Sequence, residues 1–555
     1  MHSAPRGSER SRHFGFAPNS SQAAFVILFT KSGFVVVEPR KKDAPSPPVT
    51  RPLADILDSK SGVPPGILAA VKPLSFRIGW VAAAVLALMA PVPASAQTPS
   101  SKHSPPLAEG SPQTVGVSRD RLAGIDALCQ DAVRSGQIPG VVALAARRGK
   151  IVFFNAYGIA DPETGRPLRR DDIFRIASQS KAITATGVMM LWEQGRFKLD
   201  DPISKYLPEF KNPQVLKTYN EQDGTWTGEP AKRELTIRDL LTHTSGLGYG
   251  VIDGDPRFKA IYAKAGIVDL FTTEPVVLAE NVRKLAALPL HHHPGEKFTY
   301  SEGLDVLGRF IEVISGQPFD VFLQTHIFGP LGMKDTGFYL PESKTDRLVK
   351  VQKPSDGKWV RYPVTFYDPD YPIRGAKTFF SGGAGLCSTA RDYATFLQMY
   401  LNGGELGGVR LLSRTTVESI LSGQVPVDLW GNGDKVYGLA FGLVTDKGQT
   451  KGGEGSAGTF DWGGYFNTQY FADPKEGLIG VLMKQTQGGN DETGTSMNDV
   501  WKATWTDNKL TWMQVGPAKW TPRCMFAATA CGGPRDRLWL YGGLTEPFSD
   551  PLDDM

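Results

Sequence analysis

The chain is poor in cysteine, with four residues in 555: Cys129, Cys387, Cys524 and Cys531. None forms a C-x-x-C pair and no histidine cluster has zinc-finger spacing, so neither a redox dithiol nor a structural zinc site is indicated. Cys524 and Cys531 stand close enough to bridge a short loop, or to remain two free thiols. Surplus charge is also missing. The formal net charge is +4, which gives no reason to expect nucleic acid or an anionic membrane surface as partner. There is no H-E-x-x-H zinc motif, no G-x-S-x-G nucleophile elbow and no Walker-type phosphate loop. Metalloprotease, α/β-hydrolase and nucleotide-dependent readings lose support accordingly. His291-His292-His293 does not replace a metal motif, because consecutive residues point in different directions and rarely hold one ion together. A solvated loop before Pro294-Gly295 is expected there, and no metal or cofactor is called for.

No apolar run reaches the roughly 20 residues that a membrane-spanning helix needs. The run Ile78 to Val92 is shorter, follows Lys72 and Arg77, and leads to Ala94-Ser95-Ala96. A basic start, an apolar middle and a small-x-small end describe a secretory signal peptide over 72–96, cleaved before Gln97. The mature protein is then expected in the periplasm or secreted, with no stable membrane span. Residues 1–71, rich in Ser, Pro and Arg, read as a non-globular leader. A signal peptide belongs at the N-terminus, so translation is expected to start near Val71.

Residues 97–116 are Pro/Ser-rich and read as a linker. Compact patterning begins at Val117 and continues to Gln487. A helix is predicted from about Arg119 to Ser135, with Ser118 as N-cap and Leu122, Ile125, Leu128 and Val133 roughly on one stripe. Strands follow at Val141–Arg147 and Lys150–Tyr157, joined at Arg148-Gly149, and further strands are predicted at 438–445, 460–464, 467–472 and 478–484. Helix, hairpin, then mixed helices and strands indicate an α/β layered domain. After residue 490 the texture changes: residues 498–545 hold five of the eleven tryptophans. Their spacing over 495–555 resembles one partial kelch unit, and a single propeller blade cannot bury its own faces without docking on the enzyme or on a partner protein.

A nucleophilic serine needs a base, and a helix can present one from its next turn, since residues i and i+3 are neighbours on one face. Two Ser-x-x-Lys spacings occur. Ser355-Asp356-Gly357-Lys358 contains Asp-Gly after a proline and reads as a turn. Ser178-Gln179-Ser180-Lys181 stands between a short apolar approach, Ile173 to Ala177, and a largely apolar run to Trp192. Ser178 is thus expected at a helix N-terminus, where backbone N–H groups and the dipole favour an anion. Burial of Lys181 would lower its pKa towards one suited to proton transfer.

Phe174 to Lys181, Leu199 to Glu209 and Leu235 to Leu247 together closely resemble the β-lactamase-like serine hydrolases. That family includes class C β-lactamases, penicillin-binding proteins, D-aminopeptidases and β-lactamase-like carboxylesterases. The resemblance spans about Val117 to Gln487. It implies an α/β sandwich, a mainly antiparallel sheet flanked by helices, with an all-helical lobe. It makes Ser178 the nucleophile and Lys181 and Tyr300 the shared general base. Glu302 stands where the family's Tyr-x-Asn loop has Asn, and an ionised carboxylate accepts but cannot donate to a substrate amide. Trp462-Gly463-Gly464 resembles the counterpart of the family's Lys-Thr-Gly strand, as in its esterase branch. A cation there would hold a substrate carboxylate, whereas Trp462 brings an apolar wall and one N–H, which favours neutral esters. Gly463 and Gly464 let backbone approach the substrate closely. The oxyanion hole is implied at the backbone N–H groups of Ser178 and Tyr465, whose bulk would narrow the acyl pocket. The 381–386 glycine loop and His243 are read as structural.

The expectation is an exported serine hydrolase that forms an acyl-enzyme on Ser178, a carboxylesterase acting on small esters. A small-molecule ester or amide is the partner expected. β-Lactamase or D-aminopeptidase-like activity, and a non-catalytic binding protein with a partner on its tail, stay open as alternatives.

Overall fold

The computed structural model describes residues 104–425, 433–451 and 455–487, together with strand backbone at 26–30, 33–37, 499–506, 509–517, 527–531 and 537–541. The signal peptide, Cys524 and most of the kelch-like spacing lie outside the described residues. Residues 26–30 and 33–37 form a hairpin whose first strand pairs with 499–506, so strand structure occurs within the stretch read as leader.

A nine-stranded sheet organises the domain. Its strands are β1 (Ala108–Glu109), β2 (Gly140–Arg147), β3 (Lys150–Asp161), β4 (Lys435–Tyr437), β5 (Gly442–Val444), β6 (Phe460–Gly464), β7 (Thr468–Asp473) and β8 (Leu478–Met483). They run in the order β4-β5-β6-β7-β8-β2-β3-β1, with Arg166–Pro167 pairing on β3 as the ninth. Pairing is antiparallel except between β1 and β3. The β2–β3 turn uses positive φ at Arg148 (49°) and Gly149 (77°), the conformation a two-residue hairpin of matching twist requires.

Period-two alternation along β2 divides the core. Val141, Ala143 and Ala145 join Leu122, Ile125 and Cys129 of α1 (Arg119–Arg134) on one face. Val142, Leu144 and Ala146 face the other way, into the main core shared by α2 (Ser180–Glu193) and α4 (Ala390–Leu401). A central strand buried on both faces reads as a continuous apolar run, as β2 does. The helix stripe closes through Cys129 rather than Leu128, because i+4 from Ile125 is the inward position. Ser118 occupies the N-cap without a side-chain hydrogen bond.

Two boundaries differ from expectation. The Pro/Ser-rich stretch is not all linker: β1 adds to the sheet edge, Val115 is buried, and the Ser104 N–H donates to Glu405 at 3.1 Å. Its few apolar side chains find partners only across the fold, which local composition cannot show. The lobe between α2 and α4 holds α3 (Gly303–Ser315) and helices Pro256–Ala265 and Leu278–Ala286, but it is not all helical. A hairpin, Gln214–Tyr219 with Trp226–Pro230, is closed by Asn220 N–H to the Thr225 carbonyl at 2.8 Å around Asp223-Gly224. Among the described residues no helix is long and apolar enough to cross a membrane.

The end of β6 meets the segment that carries Ser178. A Cβ at Gly464 would collide with the Ile176 carbonyl and the Thr468 hydroxyl, whereas one at Gly463 would meet nothing nearer than 3.6 Å. The closest approach that glycine permits here is therefore strand to nucleophile segment, at Gly464 alone. Gly464→Ala is expected to cost on the order of 2 kcal/mol and Gly463→Ala much less. Urea unfolding of the two variants checks this, and equal midpoints would contradict it.

Candidate active site

The backbone delivers Ser178 through a sharp turn. Phe174–Arg175 pairs with Cys387–Ser388, Ala177–Gln179 forms a 3-10 turn, and α2 begins at Ser180. Ala177 sits at φ 42°, a left-handed conformation uncommon outside glycine, and only a small side chain suits it. The approach is held by Arg175, fully buried inside an otherwise apolar stretch. Its guanidinium donates to the carbonyls of Pro369 (2.6 Å) and Val349 (2.7 Å) and to Gln485 Oε1 (3.0 Å). Gln485 in turn donates to the Arg175 carbonyl at 3.0 Å, fastening this segment to the end of β8.

Lys181 is completely buried on the first turn of α2. Its Nζ donates to Ser178 Oγ at 3.2 Å and to the Gly383 carbonyl at 2.9 Å. The same nitrogen lies 4.5 Å from the Tyr300 ring centroid and 5.5 Å from that of Tyr249. The 381–386 loop supplies more than packing. Thr184 Oγ1 donates to the Gly382 carbonyl at 2.7 Å, and the Leu386 N–H donates to Ser180 Oγ at 3.1 Å, so the loop clamps the start of α2.

Tyr300 is held from both flanks by His243. The Thr299 N–H donates to the His243 carbonyl at 2.8 Å, and the Ser301 N–H donates to His243 Nδ1 at 3.2 Å. An accepting Nδ1 puts the proton of the neutral ring on Nε2. Burial, and then the charge of Lys181, holds the imidazole pKa well below its ordinary value. The ring lies 4.6 Å from that of Tyr300. Trp462 Nε1–H donates to the Tyr300 hydroxyl at 3.4 Å, so its one donor is directed to Tyr300 rather than to a substrate.

Glu302 departs from expectation. It is 1 % exposed and caps the N-terminal end of α3, turned towards Asp269 and Asp305. Burial, and then the neighbouring Asp269, pushes its carboxyl well above the usual range, against the pull of Lys181. Burial thus works against the ionised form of Glu302, and the side chain lies beneath the site rather than on its surface. Composition identifies a carboxyl group; burial decides its charge. Asp305 is fully buried beside Ser381 and the Gly383 amide without a well-aligned hydrogen bond to either, so desolvation dominates and raises it to about 6.

The remaining candidates separate clearly. Tyr465 follows Gly464 in the β6–β7 connection, closed by Asn467 N–H to the Gly464 carbonyl at 2.8 Å. Ser355 and Lys358 flank a hairpin turn with Asp356 and Gly357 at positive φ, remote in kind from a helix terminus. His291 pairs with Asp253 at 3.0 Å, His292 with Thr299 at 3.0 Å, and His293 Nδ1 accepts from the Lys232 N–H at 3.3 Å, so the three imidazoles serve three different partners. Sequence reasoning did not single out Gly383, Tyr249, Asp269 or Asp305. The glycine run of the 381–386 loop was the one available signal, and it was taken as packing.

Asp305 generates a stability prediction. An unfolded aspartate titrates near 4, whereas folded Asp305 holds its proton to about 6. Between these values the folded state binds the proton more tightly, so this residue's contribution falls as pH rises through the window and is level above it. The span is at most about 3 kcal/mol. His243 acts in the opposite sense, since stability is lost as pH falls below about 6.5 and the unfolded imidazole takes up a proton. Asp305→Asn should therefore gain stability over the parent protein at pH 7.5 relative to pH 4.5. Urea midpoints at both values test this, and an unchanged difference between the two proteins would refute it.

Comparison with known proteins agrees with this geometry. The Beta-lactamase family profile matches residues 125–499. Esterase EstB of Burkholderia gladioli is 34% identical over 386 residues, covering 66% of this chain and 90% of its own length. Lovastatin esterase of Penicillium rubens is 29% identical, covering 64% and 91%. Among solved structures, EstCE1, a hydrolase with promiscuous acyltransferase activity, superposes with a TM-score of 0.56 at 28% identity, over 66% of this chain and 94% of its own. With a half-buried serine paired to a buried lysine under a tyrosine, at the start of a helix beside an antiparallel sheet, the chain belongs to the β-lactamase family and is a serine hydrolase of that fold.

Proposed function

We propose that this protein is an exported carboxylesterase that forms an acyl-enzyme on Ser178. The observation that carries the reading is the 3.2 Å contact between Ser178 Oγ and the buried Nζ of Lys181, beneath the ring of Tyr300. In the proposed cycle Ser178 Oγ attacks the ester carbonyl carbon, and its proton passes to the Lys181–Tyr300 pair. The developing oxyanion faces the backbone N–H groups of Ser178 and Tyr465, at the end of α2 where the helix dipole favours it. Collapse breaks the ester C–O bond, and the alcohol leaves with the proton held by the pair. Water then attacks the acyl-enzyme, releases the acid and restores the serine.

Preference for esters over β-lactams or peptide termini rests on Trp462. No cation stands at that strand position to hold a substrate carboxylate, and the indole N–H is turned to Tyr300. Relatives named as esterases support the same choice, each for its own substrate. Export rests on the signal-peptide pattern of residues 72–96.

A fluorophosphonate probe is expected to label Ser178, and a short-chain aryl ester to be turned over while a chromogenic cephalosporin is not. Ser178→Ala should lower kcat/KM by about 10⁴-fold, and Tyr300→Phe by about 10²-fold. Cephalosporin turnover would move the assignment to β-lactamase, and unlabelled, well-folded protein would end the enzymatic reading.

A further inference from the structure

Beside the nucleophile lies a surface that the acyl-transfer chemistry does not use. One apolar cluster joins Ala177, adjacent to Ser178, with Phe271, Tyr367 and Phe466, and Tyr465 packs against it half-buried. The Tyr465 ring stands 6.2 Å from Tyr367, 6.3 Å from Phe271 and 6.5 Å from Phe366, the last edge-on at 71°. The outer end of this face is open. Phe366 is 45% exposed and Val364, on the same loop, 64% exposed, while Val251 on a second loop of the cluster is 42% exposed. Exposed apolar side chains have a hydration cost that a ligand would remove.

The segments that carry Tyr465, Phe366 and Val251 hold no charge of their own. The segments 244–252, 362–367 and 462–467 contain no Asp, Glu, Lys, Arg or His. The nearby buried charges have partners of their own: Lys181 faces Ser178 and Gly383, Arg175 is occupied by Pro369, Val349 and Gln485, and Asp269 accepts from the Val251 N–H. A substrate carboxylate brought to these segments would lose water, and the two nearby buried cations are already committed to other partners.

We infer that the Tyr465–Phe366 face is the specificity-determining wall of the substrate site, and that it holds a bulky, uncharged, apolar group of the ester. The inference rests on the carboxylesterase reading above. It names the substrate class: esters with a large hydrocarbon or aryl group, in the acyl half or the alcohol half. Tyr465 contributes in two ways, its backbone N–H to the oxyanion and its ring to the wall. Phe366 extends the wall outward on an exposed loop, residues 363–366.

Two ester series separate the halves: p-nitrophenyl esters from acetate to octanoate, and acetates of ethanol, benzyl alcohol and naphthol. For the parent protein kcat/KM should rise with size along one series. In Phe366→Ala the ratio of largest to smallest substrate in that series should fall by about 10-fold, the effect of losing one or more methylene-sized contacts in an apolar pocket. Tyr465→Leu, which keeps the backbone N–H, should reduce the same ratio. Val321→Ala, at an exposed apolar residue of helix Phe319–Leu323, should leave it unchanged. The series that responds identifies the half held by the wall. Ratios that stay flat in both variants while Ser178 still labels would overturn the inference and leave the esterase reading standing. No turnover of any ester by folded protein would remove both.

Discussion

A buried primary amine is the constraint around which this molecule is arranged. Lys181 lies at 0% exposure on the first turn of α2, and an ammonium group taken from water needs compensating partners or loses several kcal/mol. Those partners arrive from three places, one local and two distant in sequence: the neighbouring turn (Ser178), the glycine loop (Gly383) and the loop before α3 (Tyr300). Each must be delivered to within a few tenths of an ångström. The Arg175–Gln485 clasp, the left-handed Ala177, the Gly464 close approach and the His243 brackets around Tyr300 are the devices that deliver them.

Electrostatics divides the site into two levels. Below Lys181 lie three carboxyl groups, Glu302 pushed well up by burial, Asp305 raised to about 6, and Asp269 beside them. Above it lies a cluster of tyrosines and phenylalanines. The upper level excludes ionic competitors and strengthens whatever dipoles face the substrate, since attraction grows as the local dielectric falls.

Much of this was legible in the chain. The Ser178–Lys181 spacing gained meaning from its setting, an apolar approach and an apolar helix, whereas the same spacing at Ser355–Lys358 lay in Asp-Gly turn chemistry; the structure places the first at a helix start and the second in a hairpin. The strands at 460–464 and 478–483 and the helix from Arg119 follow from periodicity and turn residues. Other features were hidden for physical reasons. The ionisation of Glu302 depends on which carboxyls surround it after folding. The donor of Trp462 could not be assigned without knowing that Tyr300 lies 3.4 Å away. The Gly383 carbonyl is a backbone group, and no side-chain pattern announces it.

By itself the sequence determined the elements, because hydrophobic period, glycine and turn chemistry act over a few residues and leave their mark locally. It also determined the pairing of a serine with a lysine one turn later, a spacing that any helix turns into proximity. Tertiary structure decided which charges survive burial, which glycine is indispensable, and which aromatic rings meet beside the nucleophile. Those outcomes depend on desolvation and on contacts between residues more than a hundred positions apart, such as Lys181 with Gly383 and Tyr300 with Trp462, and neither is written in any local stretch of chain.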